Sequence, residues 1–320
     1  MTCTFCGYQS DNIDDFEEDF QHHAGYWCPY CDGFTYFENH GHRNQFILLL
    51  EDPQSGQNST KTMIKKKIPS RVSPLRYPGG KSKVIDQIYS LGIRENLKIW
   101  AEPYAGGASV GLALLLAGYV EELYLNDIDT GIYALFHVIC NDPGPLYEQI
   151  EAFTPSLDAY KRAQKALLSD YEGLNLLETA WVMLIVNRLS YSGICKANCM
   201  RDPAAKWNPK GLIKRMERIH ACASKIHVSN MDALAFIEEM YWQQDTTLFV
   251  DPPYFGKGKQ LYKHYYKAQD HDNLAFLLDE LYKGMPGADV IVTYDMSRYI
   301  RSIYQYPDEL ILSRCYSIAN

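Results

Sequence analysis

Thr247-Leu248-Phe249-Val250-Asp251-Pro252-Pro253-Tyr254 is the stretch whose reading decides the fold. Leu248, Phe249 and Val250 form the short apolar run of a strand buried in a parallel sheet. Pro252 and Pro253 end it, since neither can donate to a ladder. Asp251, a rigid turn and the Tyr254 ring are thereby presented at the carboxyl end of a central strand, where open α/β sheets bind ligands. This grouping suits an exocyclic amine on a planar base. Asp251 and the Pro252 carbonyl are two acceptors for its two N–H donors, and Tyr254 offers a face for a flipped base. Alone, the stretch reads as no more than a strand end with an Asp turn. Its meaning rests on a matching donor site elsewhere.

Upstream lies that site. Trp100-Ala-Glu-Pro-Tyr-Ala-Gly-Gly-Ala-Ser109 leads into an apolar helix over residues 110–117, the strand–glycine turn–helix unit that opens a Rossmann-like sheet. Gly106 and Gly107 do not form a full GxGxxG, so a phosphate site is not indicated. Leu123-Tyr-Leu-Asn-Asp127 is a second strand ending in an acid, the position that takes ribose hydroxyls of an adenosine-containing cofactor. A further strand ends at Asp232, and residues 289–294 form another buried one. Pro74-Leu-Arg-Tyr77-Pro-Gly-Gly-Lys81 is a glycine turn whose lysine can hold a carboxylate or phosphate.

Residues 159–190 read as helical. From Arg188 to Arg218 there are eight bases and two acids, with Tyr191 and Trp207 interleaved. Bases and aromatics in irregular backbone suit phosphate and base contacts, which nominates Arg188, Tyr191, Lys196, Arg201 and Lys206 for DNA binding. A solvated helix face accounts better for Lys214, Arg215 and Arg218.

Cys3-Thr-Phe-Cys6 and Cys28-Pro-Tyr-Cys31 are paired CxxC knuckles, which together complete a tetrahedral structural zinc site. Residues 1–60 carry a net charge of −9 and residues 61–320 a net +1, within −8 overall. An acidic zinc ribbon would repel phosphates, so its expected contact is a protein partner. The division is ribbon 1–50, polar linker 51–72 and a main domain over 73–320, with a recognition region at about 150–220. At 47% hydrophobic and 22% charged the composition is that of a globular protein. The longest apolar run is too short to span a bilayer, no signal-peptide pattern follows Met1, and a cytoplasmic location is expected.

Six segments in order resemble the alpha-group, Dam-type adenine-N6 DNA methyltransferases: Arg76-Tyr-Pro-Gly-Gly-Lys81, Glu102-Pro-Tyr-Ala-Gly-Gly107, Asn126-Asp-Ile128, residues 187–193, Ser229-Asn-Met-Asp232 and Asp251-Pro-Pro-Tyr254. The spacing after residue 207 is similar to phage members of that group. The resemblance implies a class I (Rossmann-like) α/β methyltransferase domain with a helical and loop insertion that recognises double-stranded DNA, preceded here by the ribbon. It implies S-adenosylmethionine at Tyr77, Lys81, Gly106, Gly107, Asp127, Asp232 and Asp251, with catalysis by Asp251, Pro252, Pro253 and Tyr254. Ser192 and Lys196 depart from the Asn and Arg of members that read GATC. The chain also stops at Asn320, where relatives add one more strand, which implies a short or truncated member. The rival expectations are an N4-cytosine or RNA methyltransferase, or a non-catalytic binding protein that keeps the fold.

Overall fold

The computed structural model describes residues 17–18, 25–27, 34–36, 45–51 and 68–313, the last span apart from 70, 77–80, 82–83, 92–96, 205–206, 244, 257 and 285–286. Strands β1 (Glu17–Glu18), β2 (Gly25–Trp27) and β3 (Phe34–Tyr36) pair antiparallel in a small sheet. Strand β4 (Gln45–Glu51) and helix α1 (Ile85–Leu91) follow. Next come β5 (Ile99–Glu102), α2 (Ser109–Ala117) and β6 (Glu122–Asn126). Five helices then intervene before the next strand: α3 (Thr130–Asn141), α4 (Gly144–Ala152), α5 (Leu157–Leu168), α6 (Leu176–Leu189) and α7 (Pro209–His220). The chain returns through β7 (Ile226–Ser229), α8 (Ala233–Tyr241), β8 (Thr246–Val250), α9 (Gly258–Leu261) and α10 (Ala268–Lys283). It closes with β9 (Asp289–Asp295), α11 (Arg298–Ile303) and β10 (Asp308–Ser313).

The seven-stranded sheet has the order β10-β4-β9-β8-β5-β6-β7, and each of its pairings is parallel. Strand β8 is buried at all five positions, as its unbroken apolar run requires. Separate apolar clusters pack the sheet: one joins Trp100, Phe249 and Leu123 to α2, α3, α6 and α7, the other joins Ala101, Leu248 and Val250 to α8 and α10. Helix α2 lies close against β5 and β6 because Gly111 has no side chain; a Cβ there would stand 2.4 Å from Leu123 Cδ1. Among the described residues no helix is long and apolar enough to cross a membrane.

Two expectations change. The boundary at residue 50 falls inside the main sheet, since β4 pairs with β9 on one side and β10 on the other. All but the last residue of Gln45-Phe-Ile-Leu-Leu-Leu-Glu51 lie within the range assigned to the ribbon, and only non-local pairing assigns them elsewhere; Ile47 is fully buried in the sheet's core. The helical reading of 159–190 also breaks into α5 and α6. Asp170, Tyr171 and Gly173 adopt positive φ between them, and Asn175 with Glu178 forms a capping box that starts α6 afresh.

Candidate active site

The carboxyl ends of β5, β6 and β8 and the segment that follows β7 meet at one cavity of about 260 Å³. Its walls include Lys81, Glu102, Gly106, Asp127, Asp232 and Asp251, and the loop with Tyr262, Lys263 and Tyr265 covers part of it.

Asp251 follows directly from β8. Both its oxygens accept from Lys81 Nζ at 2.6 Å, and Thr293 Oγ1 donates to Oδ1 at 2.5 Å. Lys81 also donates to the Tyr254 hydroxyl at 2.8 Å and is 1% exposed. The carboxylate is therefore held by a charge-assisted bond from one side and a neutral donor from the next strand. Two expectations shift here. Lys81 lines the cavity, but its ammonium is directed to Asp251 and Tyr254 rather than standing clear for a cofactor. Tyr254 is buried and tied to Lys81, so its ring is not displayed as an open stacking face; Tyr262 meets it edge to face at 6.4 Å. Pro252 is buried, and Pro253 lines the cavity.

The donor side is built on β5 and β6. Gly106 adopts a positive φ of 49°, and its N–H donates to Asp127 Oδ2 at 2.8 Å. Asp127 Oδ1 accepts from the Asp129 N–H at 2.9 Å. Burial, with Asp129 alongside, pushes the Asp127 carboxyl up to about 7. Asn126, fully buried, joins three segments: Nδ2 donates to the carbonyls of Pro103 and Met231, and Oδ1 accepts from Ser229 Oγ and the Met231 N–H. Asp232 caps α8 through the N–H groups of Leu234 and Ala235 and still faces the cavity. Gly107 lines the same wall.

Three participants were not singled out from the sequence. Thr293 lies one residue beyond Val292, which pairs with Val250, so parallel register puts it beside Asp251. A polar residue following the apolar run 290–292 was the available signal. Glu102 is 2% exposed, accepts from Gly111 N–H at 2.7 Å and Trp100 Nε1 at 3.1 Å, and is pushed up by burial to about 8. Lys263 bridges the covering loop to the helical insertion, 2.6 Å from Asp170 and 3.7 Å from Asp129, with the Tyr171 ring 4.3 Å away.

The expected DNA-contacting residues divide. Tyr191, Lys196 and Arg201 are exposed, and Lys196 lies over the Tyr265 ring at 5.2 Å. Arg188 does not meet its expectation: at 7% exposure it is part of the α6 terminus, where burial and the neighbouring Arg76 lower its guanidinium to about 10. Lys206, Tyr77 and the four ribbon cysteines Cys3, Cys6, Cys28 and Cys31 lie outside the described residues.

Parts of this sequence are similar to known proteins. A modification methylase, StsI, of Streptococcus sanguinis is 29% identical over 136 residues, which are 42% of this chain and 19% of that protein. The type II methyltransferase M.MjaIII of Methanocaldococcus jannaschii is 22% identical over 198 residues, 56% of this chain and 68% of that protein. The similarity thus spans about a fifth of the first relative and about two thirds of the second. Residues 77–318 match the family described as D12 class N6 adenine-specific DNA methyltransferase, and that span holds the Lys81–Asp251 pair, the Gly106–Asp127 contact and the helical insertion. With three quarters of its length matched, the chain belongs to the D12 class of N6 adenine-specific DNA methyltransferases.

Proposed function

We propose that this chain methylates the N6 amine of an adenine flipped out of double-stranded DNA, using S-adenosylmethionine. The observation that carries the reading is Asp251, fixed by Lys81 and Thr293 at the end of β8 on the wall of the cavity that Gly106, Asp127 and Asp232 also line. The donor set suits the cofactor. Asp127 and Asp232 are acceptors for ribose and adenine donors, the carboxylates favour a sulfonium cation, and the α2 start offers positive character to a carboxylate. When bound, S-adenosylmethionine supplies a methyl group activated by positive sulfur.

The chain's residues supply the rest. Asp251 accepts one N–H of the target amine and the Pro252 carbonyl the other, which aims the nitrogen lone pair at the methyl carbon. A base reaching Tyr254 displaces its hydroxyl from Lys81 and stacks on the freed ring. As the N–C bond forms, the methyl carbon's bond to sulfur would break to leave the neutral thioether S-adenosylhomocysteine, and the surplus amine proton passes to Asp251 or to water. Tyr191, Lys196 and Arg201 meet the DNA beside the cavity.

Cys3, Cys6, Cys28 and Cys31 hold a structural zinc in this reading. Trp27 of β2 pairs with Phe34 of β3, so one knuckle lies within the six residues that connect them. The acidic segment serves a protein partner rather than DNA, and spacing after residue 207 favours a phage-like member. Enzymatic digestion of DNA incubated with protein and labelled cofactor tests the reading. N6-methyl-2′-deoxyadenosine is the expected labelled nucleoside; N4-methyl-2′-deoxycytidine, or label found only in RNA treated in parallel, would replace it with the corresponding alternative.

A further inference from the structure

The segment that delivers Lys81 to Asp251 is bound, five residues earlier, to the loop that faces DNA. Asn187 sits near the end of α6, 1% exposed. Its amide pairs with Arg76 as a strand neighbour would: Oδ1 accepts from the Arg76 N–H at 2.8 Å, and Nδ2 donates to the Arg76 carbonyl at 2.9 Å. The same Nδ2 reaches the Gly193 carbonyl at 3.3 Å. Arg76 completes the joint with its side chain. Nη2 donates to the carbonyls of Asn187 (3.3 Å), Arg188 and Ser190 (3.0 Å), satisfying acceptors that the end of a helix leaves without partners. Gly193 presses against this joint at a positive φ of 77°; a Cβ there would lie 1.9 Å from the Arg76 carbonyl oxygen.

The loop so anchored is closed on itself. Tyr191 N–H donates to Asn198, Met200 N–H to Leu189, and Ser190 bridges Cys199. It carries exposed Tyr191 and Lys196, with Arg201 just beyond it. The joint therefore ties the pose of this loop to Arg76, five residues ahead of Lys81 in the chain.

We propose that Asn187 and Arg76 are positioning residues that couple the 190–201 loop to Lys81, so that Asp251 is aligned when the loop is correctly seated on DNA. The inference rests on the methyltransferase reading above. A displacement of about 1 Å at a reacting group can cost about 100-fold in rate, so a change at Arg76 that shifts Lys81 is read in kcat. Cofactor affinity is expected to be spared, because Gly106, Asp127 and Asp232 stand on other elements.

The test compares wild type, Asn187→Leu and Arg76→Lys, measuring kcat on DNA bearing the site found by sequencing of methylated DNA, kcat on the same DNA with one base of that site changed, and the Kd for S-adenosylmethionine. Asn187→Leu removes the whole joint; Arg76→Lys keeps the backbone pairing and loses only the forked contact to the helix end. The expected result is a fall in kcat on the true site of about 100-fold for Asn187→Leu and about 10-fold for Arg76→Lys. Cofactor Kd should stay within about threefold, and discrimination between the two DNAs should narrow, which loss of folded protein would not produce. A folded variant of either kind with wild-type kcat and discrimination overturns the proposal, as does a parallel loss of cofactor binding and rate in Arg76→Lys. If Asn187→Leu does not fold, Arg76→Lys decides alone. Wild type that transfers no methyl group sinks the methyltransferase reading, and this inference with it; active wild type beside unaffected variants sinks the inference only.

Discussion

The cavity wall and the 190–201 loop are neighbours held together by different means. Asp127, Asp232 and Asp251 each stand at or just beyond the end of a strand, so a few residues of local sequence set where each carboxylate points. The 190–201 region has no such support. Its pose depends on Asn187 and Arg76, 111 residues apart, on Tyr160 and Gln164 of α5 reaching Ala197, and on Lys196 meeting Tyr265. Strand ends fix a carboxylate through local backbone, whereas the pose of the loop depends on partners distant in the chain.

The largest effect bears on the strand side of this contrast. Strand β4 stands between β10 and β9, and β9 carries Thr293. Deleting residues 1–52 removes an interior strand, and the shortened chain is expected to lose cooperative unfolding and cofactor binding together. A folded, cofactor-binding truncation, assayed by calorimetry, would show that the cavity does not need β4. The next effect is chemical. With the Asp127 carboxyl raised to about 7, its ionised fraction climbs between pH 6 and pH 8. Cofactor affinity should tighten across that window in wild type, because the ionised form is the better acceptor for ribose hydroxyls. Asp127→Asn is expected to bind about 10-fold more weakly at pH 8 and to show a flat profile, as read by titration calorimetry. A wild-type profile that is equally flat would remove Asp127 from the cofactor site. The smallest effect belongs to the loop. Lys196→Ala should weaken DNA binding severalfold, lower the salt dependence by about one ion and leave cofactor affinity unchanged. Unaltered salt dependence would exclude a phosphate contact at Lys196.

The same contrast explains what could be read from the sequence. The buried apolar run before Asp251, the glycine turn before α2 and the acid after β6 are local signals, and the parallel sheet with its ligand end follows from them. Non-local pairing left no such mark. Nothing in residues 45–51 says that they cross from the N-terminal segment into the sheet, and nothing near Arg188 says that its guanidinium is buried beside Arg76. Tyr254 was legible as part of the motif, but its bond to Lys81 depends on a residue 173 positions away. Thr293 was one step from legible, since knowing that β8 and β9 are parallel neighbours places it against Asp251.

The measurement that bears most directly on the central claim is methyl incorporation from tritiated S-adenosylmethionine into unmethylated DNA, with wild type and Asp251→Ala side by side and the cofactor Kd determined for both. The account predicts incorporation by wild type, recovered as N6-methyladenine, and a loss of at least about 100-fold in the variant that exceeds any loss of cofactor binding. Incorporation by Asp251→Ala at the wild-type rate would contradict it, because the carboxylate that Lys81 and Thr293 hold would then have no part in the transfer.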